Sequence, residues 1–171
     1  MRSLSLTLRS GAAGPDAAYR RICEFERYPD FVDEVRSVVV KERTGDTLLS
    51  EWEIDFRNGP LRWTEADYLR PAQRRIVFEQ TSGDFETFRG AWSIEPSGDG
   101  CSVTFEATFD FGIPSLAGVL EPIAAKVLKE GIAVIVHQLL GSASVVDDPA
   151  TDAAMRVRVL HQSRPAVQLP A

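Results

Sequence analysis

The stretch SLAGVLEPIAAKVLKEGIAVIVHQLL, from Ser115 to Leu140, carries the pattern that decides the fold. Placed at helical spacing, its apolar residues fall on one side and its polar residues on the other. The apolar side carries Ala124, Leu128, Gly131, Ile135 and Leu139, and the polar side carries Lys126, Lys129, Glu130 and His137. We therefore predict one long helix, which at about 1.5 Å per residue would lie across a whole sheet.

Two residues of this helix are unusual. Pro122 cannot donate a backbone hydrogen bond, so we expect residues 116–120 to form a separate short turn before it. Gly131 stands on the apolar side, where a glycine costs about 1 kcal/mol relative to alanine and fills no volume. It either leaves room for another group or lets the helix backbone pack closely on a bulky aromatic side chain, and the sequence leaves both readings open.

Most of the chain before this helix alternates apolar and polar residues, which is typical of strands with one covered face. The alternation begins at Leu4 and ends at Phe111, and Pro15 begins the first of two short helical segments after the first strand. One apolar sheet face and one apolar helix can both be buried only if the sheet curves around the helix. We therefore predict an α+β fold, in which a curved seven-stranded antiparallel sheet wraps around one long C-terminal helix.

The central hairpin contains Asn58-Gly59, the dipeptide that most strongly predicts a two-residue turn. Such a turn sets the register of the two strands. On one face it pairs Phe56 with Leu61, Ile54 with Trp63, Trp52 with Glu65 and Ser50 with Asp67, and on the other face it pairs Asp55 with Arg62. Glu65 and Asp67 are thereby placed on the apolar face.

A carboxyl group on an apolar face is costly to ionise, so the pKa values of Glu65 and Asp67 should be raised. A carboxyl with a raised pKa can act as a general acid or base near neutral pH. We therefore take Glu65 and Asp67 as candidate catalytic residues. The alternative is structural: one or both lie at the edge of the apolar face, or they pair with an arginine such as Arg36 or Arg89.

Composition and charge exclude several classes of protein. The chain has 171 residues, 44% of them hydrophobic, and a net charge of -6, which disfavours binding to nucleic acid. Cys23 and Cys101 form no CxxC or Cys/His cluster, so we expect no metal and no cofactor. We find neither the apolar run of a signal peptide nor that of a membrane span, and we expect a cytoplasmic protein. Residues 142–171 lack periodicity, and we predict a flexible tail there after a domain of residues 1–141.

The element order, together with four segments, resembles the polyketide cyclase and START-like superfamily, also called SRPBCC or helix-grip proteins. The segments are YPDFVDEV (28–35), RWTEADY (62–68), GDFETFRGAW (83–92) and VTFEATFDFGIP (103–114). The resemblance covers residues 3 to 141 and implies a deep hydrophobic cavity between sheet and helix. It also implies, at the position of Asp67, an arginine that aromatase/cyclases use. Here a carboxylate stands in place of that arginine, which is a departure from the pattern of the aromatase/cyclases.

Within this architecture we expect a set of residues to bind the ligand. These are Trp52, Trp63, Phe78, Gln80, Trp92, Phe105, Phe109, Leu128, Gly131 and Ile135. Rings on a concave sheet suit a flat polycyclic or acyl ligand, and Gln80 would supply a neutral hydrogen-bonding group.

Two functions follow from the resemblance and the candidate residues. The first is a protein that encloses a hydrophobic, polyketide-like molecule and helps it to cyclise or aromatise by acid/base chemistry, with an acyl carrier protein as a candidate partner. The second is a non-catalytic protein that binds a lipid, a quinone or a natural product as a carrier or for self-resistance.

Overall fold

The structure is a computed structural model that describes residues 1–56 and 59–162. Within these residues, eight antiparallel strands form one sheet in the order β2-β3-β4-β5-β6-β7-β1-β8. The strands are β1 (Arg2–Ser10), β2 (Val35–Thr44), β3 (Thr47–Phe56), β4 (Gly59–Arg70), β5 (Arg75–Gly83), β6 (Thr87–Ser97), β7 (Gly100–Asp110) and β8 (Ser144–Val145). The helices are α1 (Pro15–Ile22), α2 (Pro114–Leu140) and α3 (Pro149–Gln162), with 3₁₀ helices at Phe25–Asp30 and Pro71–Gln73.

This architecture confirms the predicted helix-grip fold, with one more strand than expected. The sheet and α2 bury each other as the alternation predicted. On β7, the residues Val103, Phe105 and Phe109 point into the core while their neighbours are more exposed. No helix among the described residues combines the length and the apolar character that crossing a membrane would require.

Helix α2 is continuous from Pro114 to Leu140, so the separate turn predicted for residues 116–120 is wrong. Pro122 lies inside the helix and removes the hydrogen bond that the carbonyl of Gly118 would otherwise accept. Both residues are exposed, so water can satisfy that carbonyl. A proline on the solvent side of a helix is therefore tolerated here without a break.

The register of the β3–β4 hairpin differs from the predicted one by two residues. Ile54 pairs with Leu61, Trp52 with Trp63, Ser50 with Glu65 and Leu48 with Asp67, and the strands close with Phe56 opposite Gly59. The predicted Asn58-Gly59 turn lies partly outside the described residues. This register places two indoles directly opposite each other, a favourable cross-strand pair. Because a shift of two residues preserves the face of every side chain, Glu65 and Asp67 still point inward.

The charge pairs of the hairpin follow the observed register. The predicted pair of Asp55 with Arg62 is wrong, because Asp55 lies opposite Pro60. Asp55 instead accepts a hydrogen bond from Arg36 of β2 at 2.7 Å, and Arg62 lies 3.3 Å from Glu53.

The prediction of a flexible tail over residues 142–171 is wrong for residues 144–162, and residues 163–171 lie outside the described part of the chain. Strand β8 pairs with β1 through Leu8 and Val145, and α3 packs against α2. Helix α3 buries only Thr151 and Met155, one of which is polar. Because so few of its residues are buried, this helix lacks the strong periodicity of apolar residues by which a helix is recognised in a sequence.

We predict that α3 contributes to the stability of the domain through Met155, whose side chain is fully buried. The substitution Met155→Ala should lower the free energy of unfolding by about 2–4 kcal/mol, measured by urea denaturation. The control Val157→Ala, at an exposed position of the same helix, should change it by less than about 0.5 kcal/mol. Equal stability of both variants would show that α3 is not part of the cooperative unit.

Candidate functional site

A cavity of about 80 Å³ lies between the concave face of the sheet, the 3₁₀ helix at Phe25–Asp30 and the middle of α2. Its lining is almost entirely apolar and aromatic. The lining residues are Phe25, Tyr28, Glu34, Val35, Trp52, Ile54, Trp63, Glu65, Asp67, Phe78, Phe88, Trp92, Phe105, Val127, Leu128, Gly131, Ile132 and Ile135. Such a volume holds a few water molecules and is smaller than the roughly 150 Å³ that accommodate benzene. A polycyclic ligand must therefore displace part of the wall.

The most exposed residues of the lining, which can move most easily, lie on one side of the cavity. Val35 at the start of β2, Trp52 of β3, and Val127 and Leu128 of α2 are only half-buried, whereas most other lining residues are buried. These four residues, together with Glu34, mark the mouth of the cavity. A ligand would reach the interior between the β2–β3 edge of the sheet and the middle of α2.

Aromatic rings form the interior. Trp52 and Trp63 stack in parallel, with ring centroids 5.9 Å apart and an angle of 4° between their planes. Tyr28 packs edge-on against Trp52 at 5.7 Å, and Trp92 packs against Phe105 at 4.8 Å. Pairs of this geometry stabilise each other beyond the area they bury, so the rings form a preorganised surface for a flat ligand.

Glu65 and Asp67 are the buried acids of this interior, with 4% and 1% of their surface exposed. Strand alternation places both on the same face as Trp63. The indole Nε1 of Trp63 donates to Glu65 Oε2 at 3.0 Å, and Ser50 Oγ donates to Asp67 Oδ2 at 2.5 Å. The two carboxyl groups are neighbours, two residues apart on the inward face of β4, and each influences the pKa of the other.

Burial raises the pKa of both acids. Desolvation is the main cause of the strong rise in the pKa of Glu65, and the charge of Asp67 and the hydrogen bond to it add to the rise. The indole N–H groups of Trp63 and Trp52 oppose it. Desolvation also raises the pKa of Asp67, although the hydrogen bonds from Glu65 and Ser50 hold it back. The pair therefore retains a proton at a pH at which exposed carboxyl groups have lost theirs.

No basic side chain lines the cavity among the described residues. Arg36 pairs with Asp55, and Arg89 stands on β6 opposite Glu79 of β5. Within the described part of the chain, neither Glu65 nor Asp67 forms an ion pair. The structural alternative, in which these acids neutralise Arg36 or Arg89, is wrong.

The structure brings most of the predicted ligand-binding residues to the cavity. Trp52, Trp63, Phe78, Trp92, Phe105, Leu128, Gly131 and Ile135 all line it. Gln80 does not, because its amide Nε2 donates to the carbonyl oxygen of Phe85 at 2.8 Å. Phe109 does not either: it is fully buried and packs on Phe85 and Phe111, away from the cavity.

Sequence reasoning missed several lining residues, among them Phe25, Tyr28, Glu34 and Phe88. Phe25 follows Ile22 at helical spacing in the sequence, although the structure places it in the 3₁₀ helix, and Phe88 alternates inward on β6, so both had a detectable signal. Tyr28 donates its hydroxyl to the carbonyl oxygen of Ile22 at 2.6 Å, and burial raises its pKa well above 10. No pattern in the sequence indicates Glu34.

Gly131 makes room for Glu34 rather than for an aromatic ring. A Cβ at this position would lie 3.2 Å from Glu34 Oε1. Glu34 in turn accepts a hydrogen bond from Arg158 of α3 at 2.7 Å, and Gln162 of α3 donates to the carbonyl oxygen of Phe31 at 2.6 Å. The C-terminal helix thus ties down the segment that forms one rim of the mouth.

Comparisons with known proteins agree with this geometry. Residues 12–134 match the model of a family described as polyketide cyclase / dehydrase and lipid transport. Among solved structures, the protein TTHA0849 from Thermus thermophilus is 24% identical, with a TM-score of 0.69, 95% of this chain covered and 100% of that one. No curated protein matches the chain in sequence.

Two further structures share the fold. The Zhui aromatase/cyclase from Streptomyces sp. R1128 is 17% identical, with a TM-score of 0.63, 82% of this chain covered and 90% of that one. A START superfamily protein from Mycobacterium smegmatis is 19% identical, with a TM-score of 0.68, 82% of this chain covered and 96% of that one.

The raised pKa values predict that stability falls as pH rises. In the unfolded chain both acids ionise near pH 4, whereas in the folded protein they ionise at higher pH. Between these points the folded state holds protons that the unfolded state has released, so unfolding becomes easier with rising pH. Each group contributes a slope of at most about 1.4 kcal/mol per pH unit.

The substitution Glu65→Gln removes one of these groups. We expect the free energy of unfolding, measured in urea between about pH 4 and pH 8, to fall less steeply in this variant than in the parent protein. Glu79→Gln, at an exposed position of β5, should leave the slope unchanged. If the free energy of unfolding falls equally steeply with pH in Glu65→Gln and in the parent protein, burial does not raise the pKa of Glu65.

Proposed function

Because the chain belongs to the polyketide cyclase / dehydrase and lipid transport family, we propose that it encloses a hydrophobic, polyketide-like molecule and catalyses its cyclisation or aromatisation through Glu65 and Asp67. The observation that carries this proposal is a pair of buried carboxyl groups, two residues apart on one strand, in the lining of an aromatic cavity. Two neighbouring acids that share a proton provide a base and an acid at the same place.

The chemistry of an aldol cyclisation requires both roles. A base removes a proton from the carbon between two carbonyl groups, and that carbon forms a bond to a distant carbonyl carbon of the same chain. An acid then protonates the oxygen of the attacked carbonyl. Dehydration repeats the pattern: the base removes a second proton from carbon, and the acid protonates the departing hydroxyl, which leaves as water. The pair of Glu65 and Asp67 accepts and supplies the protons of both steps.

The cavity supports the choice of ligand. Trp52, Trp63 and Trp92 present ring faces and edges to the interior, which suits a flat, partly aromatic molecule. The resemblance to aromatase/cyclases implies an arginine at the position that Asp67 occupies here. Because this chain lacks that arginine, the carboxyl pair protonates the ligand. We also propose that an acyl carrier protein delivers the ligand and that the protein is cytoplasmic.

A second candidate function is the non-catalytic binding of a lipid, a quinone or a natural product. It is favoured by the scarcity of polar groups: apart from Glu34, Glu65 and Asp67, the lining is apolar or aromatic. Binding and catalysis use the same cavity, so the effect of neutralising the acids distinguishes the two.

We expect Glu65→Gln and Asp67→Asn each to lower product formation by about 10²- to 10⁴-fold, because each removes one partner of the proton transfer. The assay follows cyclised products from a linear poly-β-ketone thioester by chromatography and mass spectrometry. The control Asp55→Asn changes an exposed acid of the same hairpin and should retain activity. If the parent forms no more product than a reaction without protein, the protein is a carrier, and if the two variants are as active as the parent, Glu65 and Asp67 do not carry the catalysis.

Binding can be measured independently, because the three tryptophans of the chain all line the cavity. We expect 1,4-naphthoquinone, a neutral aromatic probe, to quench the intrinsic fluorescence in a saturable manner. Leu128→Phe narrows the mouth and should weaken this binding about tenfold. Val119→Phe, at an exposed site of the same helix, should not. Quenching that is linear and equal in all three proteins would indicate collisions and no bound state.

A further inference from the structure

Two chains of hydrogen bonds end on the acids, one on Asp67 and one on Glu65, and the tryptophans at which they begin determine their direction. An indole N–H donates and never accepts, so a hydrogen bond that begins at Trp52 or Trp63 has only one polarity. Trp52 Nε1 donates to Ser50 Oγ at 2.8 Å, and Trp63 Nε1 donates to Glu65 Oε2 at 3.0 Å. The direction of each chain is therefore known without locating any hydrogen atom.

The first chain passes through Ser50, which is completely buried. Its hydroxyl oxygen already accepts a hydrogen bond from Trp52, and its single hydrogen atom can be donated to another group. The partner at 2.5 Å is Asp67 Oδ2. That oxygen therefore acts as an acceptor, which stabilises the ionised form of Asp67.

The second chain ends at Glu65. Its Oε2 accepts from Trp63, so a proton on this residue belongs on the other oxygen. The bond from Trp63 to Glu65 is longer, at 3.0 Å, than the bond from Ser50 to Asp67 at 2.5 Å, so hydrogen bonding stabilises the ionised form more at Asp67 than at Glu65, in line with the stronger rise in the pKa of Glu65. Trp52 also acts on Glu65 and favours its ionised form, but the bond of its N–H at 2.8 Å is to Ser50.

We propose that Ser50 is a positioning residue that divides the roles of the pair, so that Asp67 is the carboxylate base and Glu65 is the carboxylic acid. This assignment rests on the proposed acid/base function of the pair. Asp67 takes the proton from the carbon of the ligand, and Glu65 gives its proton to the carbonyl oxygen. The proton on Asp67 then passes to Glu65, the neighbouring carboxyl on the same face of β4, and the pair returns to its initial state with no net gain or loss of protons.

The other titratable groups near the pair do not disturb this assignment. Tyr28 is neutral and donates to Ile22, and burial raises the pKa of the Cys23 thiol to about 11, so it is neutral as well. Glu34, at the mouth, is paired with Arg158. The residues of α2 that line the cavity are all apolar or glycine. Each acid accepts one hydrogen bond from a neutral donor, and the shorter bond, from Ser50 at 2.5 Å, distinguishes Asp67 from Glu65, whose bond from Trp63 is 3.0 Å long.

Site-resolved ¹³C NMR of the side-chain carboxyl carbons tests the assignment without a ligand. In the parent protein near neutral pH, we expect the Asp67 signal at the position of a carboxylate and the Glu65 signal at that of a carboxylic acid. Ser50→Ala should move the titration of Asp67 to higher pH by about one to two units, because it loses a hydrogen bond to a charged group. Ser50→Thr keeps the hydroxyl and should restore the parent titration.

Ser93→Ala is the matched control, since Ser93 lies on the opposite face of the sheet from Trp92. A protonated Asp67 beside an ionised Glu65, or a titration that Ser50→Ala and Ser93→Ala leave equally unchanged, would overturn the proposal. The result of this NMR test is independent of the result of the activity assay that tests the proposed function. If the signals follow the expected order but neutralising the acids leaves product formation intact, the order of protons stands and catalysis fails. If the variants lose activity while the order is reversed, catalysis stands and the role of Ser50 fails.

Discussion

The arrangement of the cavity depends on the burial of two carboxyl groups, those of Glu65 and Asp67, among aromatic side chains. An isolated buried charge costs several kcal/mol, and the cavity offers no cation among the described residues to offset that cost. The protein meets it in another way: burial raises the pKa of both acids, so that the pair retains a proton, and each acid accepts a hydrogen bond from a neutral donor, Trp63 or Ser50. A polar network in a low dielectric is strong when every member is satisfied and destabilising when one is not.

The β3–β4 hairpin creates this arrangement. Its register places Trp52 opposite Trp63 and Ser50 opposite Glu65, so two indoles and two polar side chains form neighbouring layers on the concave face. The indoles thus have two functions: they form an apolar wall for a ligand, and they orient the acids through their N–H groups. A ligand that displaced either ring would also change the hydrogen bonds of the acids, so binding and proton affinity are coupled.

The C-terminal region connects the cavity to the rest of the chain. Gly131 of α2 leaves the space in which Glu34 lies, and Arg158 of α3 holds Glu34 there. Glu34 and Arg158 come from elements far apart in the sequence, and the family match ends at residue 134, before α3 begins. The rim of the mouth is therefore built partly by residues outside the family match.

Periodicity by itself determined the fold class, the long helix and the inward direction of Trp63, Glu65 and Asp67, because the face of a strand residue depends only on whether its position is odd or even. For the same reason the inward placement of the acids survived an error of two residues in the hairpin register. Only the tertiary structure decided which side chains meet: that Ser50 bonds to Asp67, that Gln80 is held by Phe85, that Glu34 reaches Gly131, and that α3 is ordered. These contacts join residues from different elements, and their geometry depends on curvature and packing that no local pattern records.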